Sequence, residues 1–524
     1  MTASSARTRA DAFFLGGLAA ICGLAVAVGM APLRLFEHDT FFALDGAFRV
    51  LRGQVPHRDF SSAWGPMIFL MDAAGLALSG LRPAGIGYAN ALWGALAALW
   101  AYGIARTRLT SGLACAAGIY TLLLIVAPFA LGYSPLAFSH AMAYNRYGFA
   151  LLGIILLESS DRSGRAGAIS SGASWALLAF LKISYGVMAL PFLLIGWGCS
   201  DARRQRLLWL CTGAGVVTLL LACYLRFDLG DMLHDLAAAA SGRSRTWRPG
   251  DMLNPVSIAE GLPLVLLAAV VCARSPRTIC LRLGALALAT LAVSGILLST
   301  NHQAKSLPLT GFAALILADD AVARRDSAAE PGVDLFRKLA VLVLMGLCVV
   351  PLALENATAL VAAAVVEERR LPASVPGRLV SERGALMDFE PVMSRLTSET
   401  GGPGYVDALN DGLDLIRRHT EPDAGTLAMD MFDPFNYLLD RRPPRGGFAA
   451  AAYNYAFSDA VHPSASQFFG DTRYMIVRKY GAAAQDYEIE AYHLRGLERI
   501  YGPALRENFR LVEESAHWSL WERR

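Results

Sequence analysis

The sequence predicts an α-helical polytopic membrane protein, with about eleven transmembrane spans and additional interfacial helices, followed by a C-terminal extracytoplasmic α/β domain. Three observations carry that reading. Of the 524 residues, 55% are hydrophobic and only 17% charged, too apolar for an ordinary soluble chain of this length. The apolar residues come in runs separated by short basic connections, the pattern of a helical bundle in a bilayer. From about residue 358 onward the composition changes to mixed charge, Gly-Pro turns and short apolar stretches, which marks a water-soluble unit, so the chain divides into 1–357 and 358–524.

The first apolar run, 12–33, is as long as a bilayer span and is followed by charged residues rather than a small-residue cleavage site, so it reads as a retained signal-anchor helix. Further spans fall near 85–105, 111–131, 147–158, 167–181, 184–199, 207–225, 254–273, 279–298, 307–322 and 338–356. Several are shorter than the ~20 residues that a perpendicular span needs, so their number holds to within one or two. Basic residues set the orientation. Arg7 and Arg9, Arg106 and Arg108, Arg162 and Arg165, Arg203 with Arg204 and Arg206, Arg274 with Arg277 and Arg282, and Arg324 with Arg325 and Lys338 all fall on one side. That side is cytoplasmic if the N-terminus is inside, and the C-terminal region is then outside.

This alternation requires that 65–80, GPMIFLMDAAGLALSG, not be a span. The run is too short, contains Asp72 and has apolar residues at helical spacing, so it reads as a helix lying in the outer interface. The same logic makes 41–51 an interfacial helix, closed by Gly53 and Pro56. Four loops, 34–84, 132–146, 226–253 and 299–306, then share the outer face with the C-terminal domain. In that domain 407–419 has a helical period, 425–429 and 473–477 read as short buried strands, 487–500 as a helix and 509–521 as terminal strands. At roughly 165 residues the domain is large enough to have its own core.

Composition also excludes some functions. The net charge is only +3 and its basic residues are scattered between apolar runs, which gives nucleic-acid binding no basis. All eight cysteines lie in or beside apolar segments before residue 350 with no CxxC pair; they read as small membrane-embedded residues, not disulfides or zinc ligands.

The densest polar stretch follows the first span: Glu37-His38-Asp39, then Arg49 and Arg52, then His57-Arg58-Asp59. Charges beside a bilayer need headgroups, water or a site. A solvated helix-ending turn accounts for Glu37 and Asp39 taken alone. Their continuation is more specific: Asp39, an amphipathic helix ending Leu51-Arg52-Gly53, Pro56-His57-Arg58-Asp59-Phe60, and Trp64-Gly65-Pro66 opening a second interfacial helix.

Over 37–105 this order resembles the GT-C superfamily of membrane glycosyltransferases, which take sugars from polyprenyl-phosphate donors. Members show an acidic motif after the first span, an interfacial helix ending in a Leu-x-Gly-like turn, a Pro-x-x-Asp-Phe-like segment, a Gly-Pro start to a second interfacial helix, and a span running inward. Elsewhere the resemblance is architectural. The common Asp-Glu pair is Asp39-Thr40 here, so a second carboxylate is Glu37, Asp59 or absent.

The resemblance implies a GT-C-type, inverting transferase of the bacterial inner membrane. It would move sugar from a polyprenyl-phosphate donor to an envelope glycan, lipid or protein acceptor on the periplasmic face. Asp39 is then the general base that deprotonates the acceptor hydroxyl. Low dielectric at the membrane edge raises its pKa and a nearby cation lowers it, so the sequence does not give the net direction. Glu37, His38 or Asp59 would orient the acceptor or hold a divalent ion, Mg or Mn being the candidate cofactors.

The leaving phosphate needs cations. Candidates are Arg58, Arg146 at the start of a span, Lys182 inside an apolar run, Arg243, Arg245 and Arg248 in the third loop, and His302 with Lys305. Each has a plainer reading: a solvated loop for the Arg243–Arg248 cluster, snorkelling for Lys182, an aromatic interface belt for Tyr144-Asn145-Arg146-Tyr147, and a capped loop end for Asn301-His302-Gln303.

In the C-terminal domain, Asp430–Phe435, the basic turn Arg441–Gly447, and His462-Pro463 before Phe468–Asp471 read as acceptor binding or packing, since no GxGxxG, P-loop or nucleophile elbow is present. Two other classes compete with an enzyme. A transporter or flippase of lipid-linked saccharide also needs many spans and an outer cationic groove, though neither mid-membrane ionisable residues nor internal repeats stand out. A non-catalytic relative of the same fold would look the same in one sequence.

Overall fold

The computed structural model describes residues 3–159, 164–242, 250, 253–273, 275–300, 306–323, 331–368, 378–389, 402–479 and 488–524. The chain is an α-helical membrane protein with a small C-terminal sheet domain, and each apolar run becomes helical. The bundle comprises α1 (Ala3–Val28), α2 (Asp39–Leu51), α3 (Met67–Leu78), α4 (Gly85–Arg108), α5 (Ser111–Val126), α6 (Ala143–Ser159) and α7 (Arg165–Leu181). It continues through α8 (Ile183–Met188), α9 (Leu190–Gly198), α10 (Arg203–Tyr224), α11 (Leu229–Ser241), α12 (Pro255–Cys272), α13 (Arg277–Thr300), α14 (Leu309–Ala323) and α15 (Pro331–Glu368).

Five of these, α1, α10, α12, α13 and α15, are long and apolar enough by themselves to cross a membrane. Met67–Leu78, Ser111–Val126 and Ile183–Gly198 are shorter apolar helical stretches. The helices approach closely where side chains are absent: a Cβ added to Gly172 of α7 would stand 2.0 Å from the Leu210 carbonyl, and one on Gly213 of α10 would stand 2.1 Å from the Ile169 carbonyl. Small residues at such crossings are what let apolar helices pack backbone to backbone.

Four expectations meet a different local structure. The run at 12–33 stops being helical at Val28, because Gly29 and Pro32 interrupt it. The amphipathic helix α2 does not lie open on an interface: ten of its 13 residues are buried, including Asp45 and Arg49, because it is covered by α3 and the C-terminal domain. The loop at 226–253 contains α11, whose Met232, Asp235 and Ala238 form a buried stripe. The division drawn at 357 also falls within α15.

The C-terminal domain comprises α16 (Gly402–His419), β1 (Thr426–Met429), α17 (Phe435–Leu439), α18 (Ala465–Phe469), β2 (Tyr474–Arg478), α19 (Glu488–Asn508), β3 (Phe509–Glu514) and β4 (Trp518–Arg523). Its four-stranded sheet runs β1-β2-β4-β3, with β1 and β2 parallel and the remaining pairs antiparallel. Every residue of β1 and β2 is buried, because both faces are covered. Ala428 and Ile476 point into the core shared with the bundle, while Leu427, Met429, Met475 and Val477 point into a separate aromatic core with Phe448, Phe457 and Tyr501. That alternation is the two-residue period of a strand.

The two parts meet along a hydrogen-bonded seam. Ser61 N–H donates to the Gly447 carbonyl at 3.0 Å, Ala449 N–H to the Ser61 carbonyl at 2.9 Å, and Leu33 N–H to the Asp388 carbonyl at 2.8 Å. Gly446 holds φ +104°, and a Cβ there would meet the Phe468 carbonyl at 2.5 Å, so only glycine fits the turn.

Candidate functional site

Asp39 opens the first turn of α2, where a carboxylate complements the positive end of the helix dipole. Its side chain is 23% exposed and lies 3.5 Å from His38 Nε2. Burial pushes its carboxyl above the usual carboxylate range, and His38 opposes that shift. His38 is buried and stacks on Phe432 of the Asp430–Phe435 segment, ring centroids 5.4 Å apart. His493 of α19 lies within electrostatic reach of His38, and burial foremost pushes its own pKa down to about 4.

The other half of the site comes from the break between α7 and α8. Lys182 takes an extended conformation there (φ −160°, ψ 118°), which ends one helix and starts the next. Its side chain is buried, with Nζ 3.4 Å from the Tyr455 hydroxyl and 4.7 Å from the centre of the Tyr144 ring. Asp39 acts electrostatically on that same tyrosine. Trp64 closes the group, 5.7 Å from Tyr144 and 5.5 Å from Tyr455. Burial lowers the Lys182 ammonium to about 7. The outcome is an amine seated on an aromatic cluster within electrostatic reach of a carboxylate, the carboxyl raised by burial and the ammonium lowered by it.

The other sequence candidates go elsewhere. Glu37 is buried in the turn that precedes α2. Asp59 Oδ2 accepts from Val55 N–H at 2.8 Å, and its Oδ1 lies 3.5 Å from Arg445 and 4.0 Å from Arg58. Arg58 and Asp59 line a cavity of about 230 Å³ whose lining does not include Asp39. Arg146 is turned into the bundle. Its Nε donates to the Phe129 carbonyl at 2.9 Å, its Nη1 to the Leu124 carbonyl at 2.7 Å and to Asn356 Oδ1 at 2.8 Å, so a phosphate would have to displace main-chain acceptors. Arg243, Arg245, Arg248, His302 and Lys305 lie outside the described residues.

Sequence reasoning missed Arg49 as a structural centre. It is fully buried, 2.6 Å from Asp45 and 3.8 Å from Asp433, and it donates to the Pro444 and Gly446 carbonyls at 3.1 and 3.3 Å. Gln54 adds a bond to the Pro443 carbonyl at 2.8 Å. The basic turn Arg441–Gly447 is thus held by its carbonyls. Arg441 itself donates to Thr420 and the Ala424 carbonyl. The one available signal was the Asp45–Arg49 spacing of four residues, an intrahelical ion pair. Tyr455 and His493 gave none, since only the fold brings them near residue 39.

Among the described residues no group of three or more His, Cys, Asp or Glu side chains is arranged to hold a metal ion.

No family model and no curated protein matches the chain. Solved structures do. A crystal structure of ArnT from Cupriavidus metallidurans bound to undecaprenyl phosphate aligns at 13% identity and TM-score 0.46, covering 97% of each chain. The same protein in the apo state aligns at 13% identity and TM-score 0.48, covering 98% of each chain.

Proposed function

We infer that the protein is a membrane glycosyltransferase that moves a sugar from a polyprenyl-phosphate donor to an envelope acceptor on the periplasmic face. The observation that carries this reading is that Lys182, beneath the C-terminal domain, lies 4.7 Å from the ring of Tyr144, a tyrosine within electrostatic reach of Asp39. The chemistry asks for those two groups. An acceptor hydroxyl gives its proton to the Asp39 carboxylate as its oxygen attacks the anomeric carbon. The bond from that carbon to the donor phosphate breaks, and the lipid phosphate leaves with the electron pair. Lys182 supplies the positive charge that meets the developing phosphate anion, in a site where low dielectric strengthens the attraction.

Burial suits both groups to the task. A carboxylate raised above its usual range is a stronger base than a surface aspartate. With its pKa lowered to about 7, the amine is held in its protonated form by the donor's phosphodiester monoanion, and it is then in place when the second negative charge develops on the leaving phosphate. Tyr144, Trp64 and Tyr455 pack on one another at 5.5–5.7 Å between ring centres, an aromatic wall that would keep water from the Lys182 amine.

Comparing lipid-linked saccharides and envelope glycans by mass spectrometry, with and without the gene, tests the reading. Loss of one sugar from an acceptor, with accumulation of its polyprenyl-phosphate form, is expected. Loss of the same sugar with the lipid-linked saccharide accumulating on the cytoplasmic rather than the periplasmic leaflet would instead make the protein a flippase, and an unchanged glycan profile would overturn both readings.

A further inference from the structure

The cavity of about 230 Å³ lies between the first loop, α11 and the C-terminal domain. It has a feature that the transfer chemistry does not use. His57 Nδ1 lies 2.9 Å from Asp235 Oδ2, and the same carboxylate oxygen accepts from Ser62 N–H at 2.9 Å. A carboxylate only accepts, so Nδ1 carries the proton, and in the neutral ring Nε2 offers a lone pair. The His57 side chain is 1% exposed and lines the cavity, yet Nε2 has no hydrogen-bond partner among the described residues. A buried ring nitrogen left in that state loses the hydrogen bond it would make to water, which a ligand hydroxyl would restore.

The surroundings narrow the ligand. The wall alternates acceptors with donors: His57 Nε2 and the Asp231 carboxylate accept, while the Arg58 and Arg445 guanidiniums donate. Asp59 lies beside both arginines, at 4.0 and 3.5 Å, and so offsets their charge, which disfavours a bare anion. The volume is below the roughly 300–1,000 Å³ of sites for drug-sized ligands, and the wall is too polar for an acyl chain. A small neutral molecule dense in hydroxyls fits.

His57 is also held at φ +71°, a conformation uncommon for a residue with a side chain. It is fixed by the bond from its own N–H to the Phe60 carbonyl at 2.8 Å.

We propose that this cavity is a saccharide subsite, in which His57, oriented by Asp235, accepts a hydroxyl of one neutral sugar unit of the acceptor. This rests on the transferase reading for the identity of the ligand as acceptor. The cavity and the Asp39 cluster share one segment: Ser62 is bonded to Asp235 and Trp64 packs on Tyr144. The chain from His57 to Trp64 spans at most about 25 Å, which sets the upper limit on the distance from the cavity to the aromatic cluster.

Saturation-transfer NMR tests this on the full-length protein in nanodiscs. The probes are methyl glycosides of glucose, galactose, mannose, rhamnose and N-acetylglucosamine. At least one is expected to bind, and to bind about tenfold more weakly to His57→Gln. Asp231→Ala, at an exposed cavity position, is a second variant that weakens binding if the first fails to fold. Asp39→Asn is expected to bind the glycoside normally. No binding by any glycoside, or equal binding by wild type and both variants, overturns the subsite. Binding that depends on His57 together with unimpaired sugar transfer by Asp39→Asn would leave the subsite standing and sink the transferase assignment of Asp39.

Discussion

The two ends of α2 face the same C-terminal domain and treat charge in opposite ways. At the C-terminal end Arg49 is fully buried, and its guanidinium is shared among Asp45, Asp433 and two main-chain carbonyls. At the N-terminal end Asp39 is partly open, with His38 3.5 Å away and an amine, Lys182, placed beyond a tyrosine ring. A buried charge shared with acceptors of the facing part specifies how the two dock. Incompletely matched charge, held at a membrane edge, is what a reaction or a ligand can use. Thirteen residues of helix separate a fastening from a reactive group.

The sharpest way to break this contrast is Asp39→Asn. Sugar transfer is expected to fall by about 10²–10⁴ while the thermal midpoint stays within a degree or two. A large loss of stability instead would make Asp39 another fastening.

Arg49→Ala should do the reverse. Removing one partner of a buried charge group costs about 3–5 kcal/mol, read as early unfolding and as protease cleavage in 442–447, with activity per folded molecule retained.

The pH profile separates Asp39 from Lys182. Asp39 acts as a base only when ionised, so kcat/KM should fall as pH drops through its raised pKa. Lys182 holds phosphate only when protonated, so kcat/KM should also fall as pH rises beyond about 7. Lys182→Arg, which stays charged, is expected to remove the alkaline limb and shift KM for the donor by about tenfold or less. An unchanged alkaline limb would detach Lys182 from the donor.

The smallest effect belongs to Arg52, one turn beyond Arg49. It pairs with Asp440, but the two side chains are 37% and 57% exposed. Arg52→Ala should cost less than about 1 kcal/mol, a value that salt titration of the midpoint would reveal.

Most helices were legible because a long apolar run has few other fates in a membrane protein, and the sheet strands because Thr426–Met429 and Tyr474–Arg478 are short, apolar and bounded by turns. The helix α11 was not. Its buried stripe includes Asp235, a polar residue at a core position, which makes sense only once His57 is opposite it. The site divided the same way. Asp39 and Lys182 were readable because a charge in apolar sequence asks for a reason. Arg146 was equally conspicuous, but the structure gives it main-chain carbonyls. Arg58 and Asp59 were grouped with Asp39 because they are near it in sequence, yet the turn after α2 carries them to another cavity.

The Arg49 fastening also has a timetable. Its main-chain acceptor at Pro444 is 395 positions further along the chain. At synthesis rates of about 5–20 residues per second, the ribosome delivers that acceptor roughly 20–80 s after Arg49. Through that interval α2 waits beside a growing bundle with its arginine tied only to neighbours in the first loop, Asp45 and Gln54. The first loop therefore reaches its final form last, when the end of the chain arrives to close it.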